Sequence, residues 1–76
     1  MFNELDTVVL SNDIKDFNLT RGDVGAIVHC HDGNKAYEVE FITGEGKTIA
    51  VVTLTNRDIR PMERQEILHV RSYAVA

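Results

Sequence analysis

Apolar and polar residues alternate along much of this chain with a period of two, the spacing of a half-buried strand. The clearest stretch is Ala36-Tyr37-Glu38-Val39-Glu40-Phe41, which sets Tyr37, Val39 and Phe41 on one face and Glu38 and Glu40 on the other. Thr7-Val8-Val9-Leu10, introduced by Leu5 and Asp6, predicts a first strand buried on most of its surface. Val24-Gly25-Ala26-Ile27-Val28-His29 predicts a second, entered through a tight turn at Arg21-Gly22-Asp23, where Gly22 supplies a positive φ. Gly25 within that strand predicts a bulge or a sharp bend. Thr48-Ile49-Ala50-Val51-Val52-Thr53-Leu54 predicts a fourth strand, with Ala50, Val52 and Leu54 sharing a face. Ile59-Arg60 predicts a brief fifth, ended by Pro61.

The connections fit the strands. Ser11 to Thr20 reads as a long loop whose apolar Ile14, Phe17 and Leu19 pin it over one end of the core. His31-Asp32-Gly33-Asn34-Lys35 and Thr43-Gly44-Glu45-Gly46-Lys47 read as hairpin turns. Thr55-Asn56-Arg57-Asp58 reads as a one-turn link. Five short strands joined this way predict an all-β fold, a small five-stranded SH3-like barrel over residues 1–62, because a curled sheet hides most of its unpaired edges. An OB-type barrel is the main alternative, and it usually needs more residues and a helix.

Residues 63–76 form a C-terminal extension of a different kind. Met62-Glu63-Arg64-Gln65-Glu66-Ile67 has helix propensity, whereas Leu68 to Val75 alternates more like a strand. A free tail is polar. This one carries Ile67, Leu68, Val70, Tyr73 and Val75. It is therefore expected to pack on its own barrel, on a second copy, or on a partner.

Composition narrows the function. Seventy-six residues make one domain, and a domain of this size buries only about 60% of its unfolded surface. One cysteine, Cys30, excludes an internal disulfide and a thiolate-rich zinc site. A reducing cytoplasm fits that usage. The start lacks the basic and apolar regions of a signal peptide, and no apolar run has the length of a membrane span, so neither export nor membrane contact is expected. The net charge is −4, which argues against nucleic acid as the partner. The charge is uneven. Residues 57–76 carry four arginines, Arg57, Arg60, Arg64 and Arg71, against three acids, whereas residues 1–56 are strongly acidic.

With the strands placed, the chain resembles a known bacterial group. The likeness rests on Leu5-Asp6-Thr7-Val8-Val9-Leu10, on Leu19-Thr20-Arg21-Gly22-Asp23-Val24-Gly25-Ala26-Ile27-Val28, on Tyr37-Glu38-Val39-Glu40-Phe41, and on Leu54 and Arg60-Pro61. These look like the family of small bacterial proteins catalogued as domain of unknown function 4926, which brings no activity or site to transfer. More distantly, Arg21 to Val28 looks like the turn and strand of KOW-type modules, although those modules tend to be basic.

Candidate chemistry is sparse. His29, Cys30, His31 and Asp32 contain metal-ligating types, but neighbours on a strand point to opposite faces, so Cys30 parts from the two histidines. Gly44-Glu45-Gly46-Lys47 lacks the spacing and the following helix of a phosphate loop. No catalytic, metal or cofactor-binding residue is assigned, and no cofactor is expected. The reading is a non-enzymatic protein-interaction module whose partner is another protein or a second copy, met through the tail. Its contact residues would be Glu38, Glu40, Arg64, Ile67, Leu68, Val70 and Tyr73. The acidic pair could act with Glu45 or Asp23, since acidic patches steer basic partners. One concrete form is the neutralising member of a toxin–antitoxin or immunity pair. The alternatives are a KOW-like nucleic-acid-binding barrel, with the four arginines on phosphates, and an accessory subunit of a larger complex.

Overall fold

The computed structural model describes residues 2–73. It is an all-β fold, as the alternation predicts. Five strands, β1 (Thr7–Leu10), β2 (Val24–His31), β3 (Ala36–Ile42), β4 (Thr48–Leu54) and β5 (Ile59–Pro61), form one antiparallel sheet in the order β4-β3-β2-β1-β5. β1 carries both β2 and β5, which is the strand order of an SH3-like barrel. β4 and β5 are the terminal strands of that order. A short 3₁₀ turn, Lys15–Phe17, lies in the first loop.

The core is built from the inward side chains of all five strands: Val8 and Leu10, Ile27, Tyr37, Val39 and Phe41, Leu54, and Ile59. Leu19 from the first loop joins them, and Ile14 packs alongside. Phe17 stays partly exposed. An Ile14–Leu19 bridge ties the two ends of this loop, which explains why it lies against the core.

Two details of β2 correct the sequence-based picture. The bulge falls between Ile27 and His29, not at Gly25. It turns Val28 and His29 outward and swings Cys30 in against the core, so Ile27 and His29 lie on different faces. Gly25 has another reason to be glycine. A Cβ there would meet Phe41 Cε1 and Val39 Cγ1 at 2.8 Å and the Glu40 carbonyl oxygen at 2.9 Å. The inner side chains of β3 pass directly beneath its backbone. Gly22 behaves as predicted, with φ +95° in the turn before β2.

A single turn device recurs and explains much of the acidity. An acidic side chain accepts the backbone N–H three residues earlier, while its own N–H donates to that residue's carbonyl. It is seen at Asn3–Asp6, Thr20–Asp23, Thr55–Asp58 and Glu63–Glu66, with amide-to-carboxylate distances of 2.8, 2.8, 3.0 and 2.6 Å. Asp13 likewise accepts the Arg21 N–H at 2.8 Å. Such side-chain bonds satisfy backbone groups that turns leave unpaired.

Candidate functional site

Between Met62 and Tyr73 the chain forms neither the helix suggested for Met62 to Ile67 nor the strand suggested from Leu68 onward. Residues 62–73 are irregular, with one turn at Arg64-Gln65. Val75 lies outside the described residues. The reason is tertiary. Three anchors hold the segment along the barrel, and their spacing matches no helix or ladder.

The first anchor is Arg60. Its two terminal nitrogens donate to the two carboxylate oxygens of Glu66, both at 2.7 Å. This fork-to-fork geometry is the strongest kind of arginine–carboxylate pair. Glu66 Oε1 also closes the turn by accepting the Glu63 N–H. The second is Arg71, which donates from Nε to Asp23 Oδ1 at 2.8 Å and from Nη2 to Asp23 Oδ2 at 2.5 Å, and reaches the Asn18 carbonyl at 3.0 Å. The third is Tyr73. Its ring packs against the core, and its hydroxyl donates to the Phe17 carbonyl at 2.7 Å.

These contacts set the charge states. Burial disfavours the Asp23 anion, but hydrogen bonds from Arg71 and from the Thr20 amide outweigh it and hold the carboxyl below its ordinary value. Glu66 is lowered to about 2, chiefly by the Arg60 hydrogen bonds and then by the Glu63 amide. Both folded values lie below the unfolded ones. Their contribution is therefore fully present above the ordinary carboxylate pKa and is lost as pH falls through the folded value. On acidification the Arg60–Glu66 end of the strap is expected to stay in place through the usual carboxylate range, and to loosen only as pH approaches about 2, where Glu66 protonates. Amide NMR shifts of residues 62–73, followed against those of β3, would show it. Detachment already complete around pH 4 would contradict the pairing.

What the strap displays is apolar. Ile67, Leu68 and Val70 are 90%, 64% and 89% exposed, although the backbone on both sides of them is tied down. Grooves run along both flanks of the strap. One, of about 360 Å³, has Leu19, Phe41 and Ile49 on the barrel side and Leu68, Val70 and Tyr73 on the strap side. The other, of about 200 Å³, lies between Val9, Val24 and Met62 and the side chains of Ile67 and Leu68. Val9 points away from the core face of β1 and is still buried, because this end of the sheet is covered on its outer side.

The structure divides the sequence-predicted contact residues into three groups. Arg64, Ile67, Leu68 and Val70 are exposed on the strap. Tyr73 is half-buried and anchors the strap, with its ring in the lining of the larger groove. Glu38 and Glu40 lie away from the strap on the outer face of β3, and they are half-buried and engaged. Glu38 Oε2 accepts from Thr53 Oγ1 and from His31 Nε2, each at 2.6 Å, and Glu40 Oε2 accepts from Thr48 at 2.7 Å. The Thr53 bond first, then His31, holds the Glu38 carboxyl below its ordinary value. Asp23 is paired with Arg71, and Arg60 with Glu66.

His29 and His31 do share a side, with ring centroids 4.6 Å apart, and Cys30 turns inward with its thiol 3.7 Å from the Phe2 carbonyl. Among the described residues, no group of three or more His, Cys, Asp or Glu side chains is placed to hold a metal ion. Nor is any helix there long and apolar enough to cross a membrane. Sequence reasoning missed the Asp23–Arg71 pair, whose partners lie 48 positions apart with no periodicity to link them. Arg60 and Glu66, six apart across a proline, offered a faint signal.

A family model described as Domain of unknown function (DUF4926) matches residues 4–61, so the chain belongs to that family. The match covers the whole sheet and stops where the strap begins. No curated protein and no solved structure matches the chain.

Proposed function

From membership of a family that brings no activity with it, we propose that this chain is a non-enzymatic protein-interaction module of the bacterial cytoplasm. Its contact surface is the strap ridge of Ile67, Leu68 and Val70, with Arg64 and the two flanking grooves at its border. The observation that carries this reading is the exposure of three large apolar side chains on an anchored segment. A segment held by two arginine forks loses its freedom on folding, not on binding, so a partner meets a preformed ridge and avoids that ordering cost. Contiguous exposed apolar groups rimmed by polar ones mark interaction surfaces.

One concrete form is the neutralising member of a toxin–antitoxin or immunity pair. The net charge of −4 favours a basic partner through long-range steering. The turn and cross-strand bonds of the acidic residues leave the apolar ridge, not an acidic face, to set the specificity.

The test is a pull-down with the tagged full chain beside the triple variant Ile67→Asp, Leu68→Asp, Val70→Asp. These side chains support no core contact, so the variant should keep the native amide spectrum. Burying each would be worth roughly 1.5–3 kcal/mol. Affinity for a captured partner is therefore expected to fall at least about a hundredfold. A partner retained at full affinity by a folded triple variant would exclude the ridge as the contact surface.

A further inference from the structure

The sheet has two edges, and the chain treats them differently. β5 is three residues long, ends in Pro61, carries Arg60 bonded to Glu66, and runs directly into the strap. Those are the usual means of blunting an edge. β4 has none of them. It presents Thr48–Leu54, seven residues without charge, proline or glycine and rich in β-branched types. On one side it pairs with β3 over its whole length, with a register shift confined to the Phe41/Ile42 end. On the other side, among the described residues, its backbone groups have no backbone partner.

We propose that β4 pairs antiparallel with β4 of a second copy, about a two-fold axis at Val51, joining two sheets into one. The occupant follows from the strand itself. Centring the pairing on Val51 sets Val51 against its own copy and Ala50 against Val52, so at the centre of the strand outward meets outward and inward meets inward, as an isologous contact requires. The bulge opposite Phe41/Ile42 turns Thr48 outward and Ile49 toward the core, which confines the matched pairing to Ala50–Val52. No charge opposes a like charge on the paired strands, even though the whole chain carries −4. The nearest acids, Glu38 and Glu40, sit one strand away and are already bonded to Thr53, His31 and Thr48. A charged partner segment would find nothing on β4 to select it, whereas an identical strand is complementary by construction. The pairing also extends the inner face through Ala50 and Val52. That supplies the association by which domains of this size without disulfide or metal commonly gain stability.

Light scattering after size exclusion, over a micromolar-to-millimolar series of the full chain, tests this. The expected result is twice the mass of one chain at the upper concentrations. Val51→Lys should return the mass to that of one chain. Val51 is exposed and faces Glu40 across the ladder, so the lysine suits the folded monomer while setting two lysines together on the axis. Hydrogen exchange gives a second readout that needs no variant, since β4 amides should gain protection with concentration while β5 amides do not. A one-chain mass and concentration-independent β4 exchange would overturn the proposal. So would a two-chain mass unchanged in folded Val51→Lys, or a pairing with a different partner chain that the lysine abolishes while the protein alone stays single. The triple ridge variant should still dimerise, so this result stands apart from that of the pull-down.

Discussion

Tyr37→Ala is expected to be among the most destabilising single substitutions, lowering the melting temperature by roughly 10–20 °C. Tyr37 is fully buried at the centre of the core, and Phe2 packs edge-on to its ring with centroids 5.4 Å apart. Truncating a buried aromatic costs about 3–5 kcal/mol. A 76-residue domain has only about 4–11 kcal/mol of stability in total. The aromatic contact with Phe2 adds roughly 0.5–1.5 kcal/mol to what is lost. One feature acts in the opposite direction. The Tyr37 hydroxyl is buried with no hydrogen-bond partner among the described residues, and burying such a group costs about 1–3 kcal/mol. Tyr37→Phe keeps the ring and removes that penalty. It is expected to raise the melting temperature by several degrees, because about 1 kcal/mol moves a domain of this size by roughly 4–8 °C. Thermal melts of both variants beside the native chain decide the matter. A Tyr37→Phe variant that melts lower would show that the hydroxyl has a partner after all.

Gly25→Val is expected to be nearly as damaging for the opposite reason, excess volume. Even the first added carbon would sit 2.8 Å from Phe41 and Val39 and 2.9 Å from the Glu40 carbonyl. The two side chains could shift by changing rotamer, but the carbonyl belongs to β3 and is fixed by the sheet. Relief therefore requires β2 and β3 to separate. Overpacking of this kind costs about 1–3 kcal/mol. Valine, with two further carbons beneath the strand, belongs at or beyond the upper end, and Gly25→Ala nearer the lower. Gly44 supplies the control, since a Cβ there meets nothing within 4 Å. Gly44→Ala should leave the urea midpoint unchanged or slightly raised, because alanine restricts only the unfolded chain. If Gly25→Ala matched Gly44→Ala, the close approach of β3 would carry no energetic weight.

The strap is tied to the sheet it lies on. Its anchors come from residues that also organise the sheet: Asp23 closes the turn before β2, and Arg60 lies in β5 opposite Val9. The ridge is therefore positioned by the same contacts that complete the barrel. The family match ends at residue 61, so the ridge is the part of this chain that the shared domain does not define.

Much of the fold was legible because sheets write themselves into sequence with a short period. Tyr37, Val39 and Phe41 alternate with Glu38 and Glu40, and the structure buries the first three as the alternation requires. β4 matches its predicted bounds, and Gly22 takes the positive φ its turn needs. The position of the bulge was not legible. It follows from how β2 must curl to pair with both β1 and β3, which no window of β2 alone contains. The acidic balance suggested a docking patch, yet most of those carboxylates close turns or bridge strands, roles fixed by geometry three residues or one strand away.

From the sequence come the strand set, their order of appearance, the inward face of β3 and the apolar character of the last segment. Local periodicity and turn chemistry suffice for these, since each depends on neighbours within a few residues. The tertiary structure alone decided where that segment lies and which side of it faces out. Arg71 finds Asp23 and Tyr73 finds Phe17 across roughly fifty positions. Such pairings are chosen by the shape of the finished barrel. They turn an apolar tail, equally able to fold inward, into a strap that shows Ile67, Leu68 and Val70 to solvent.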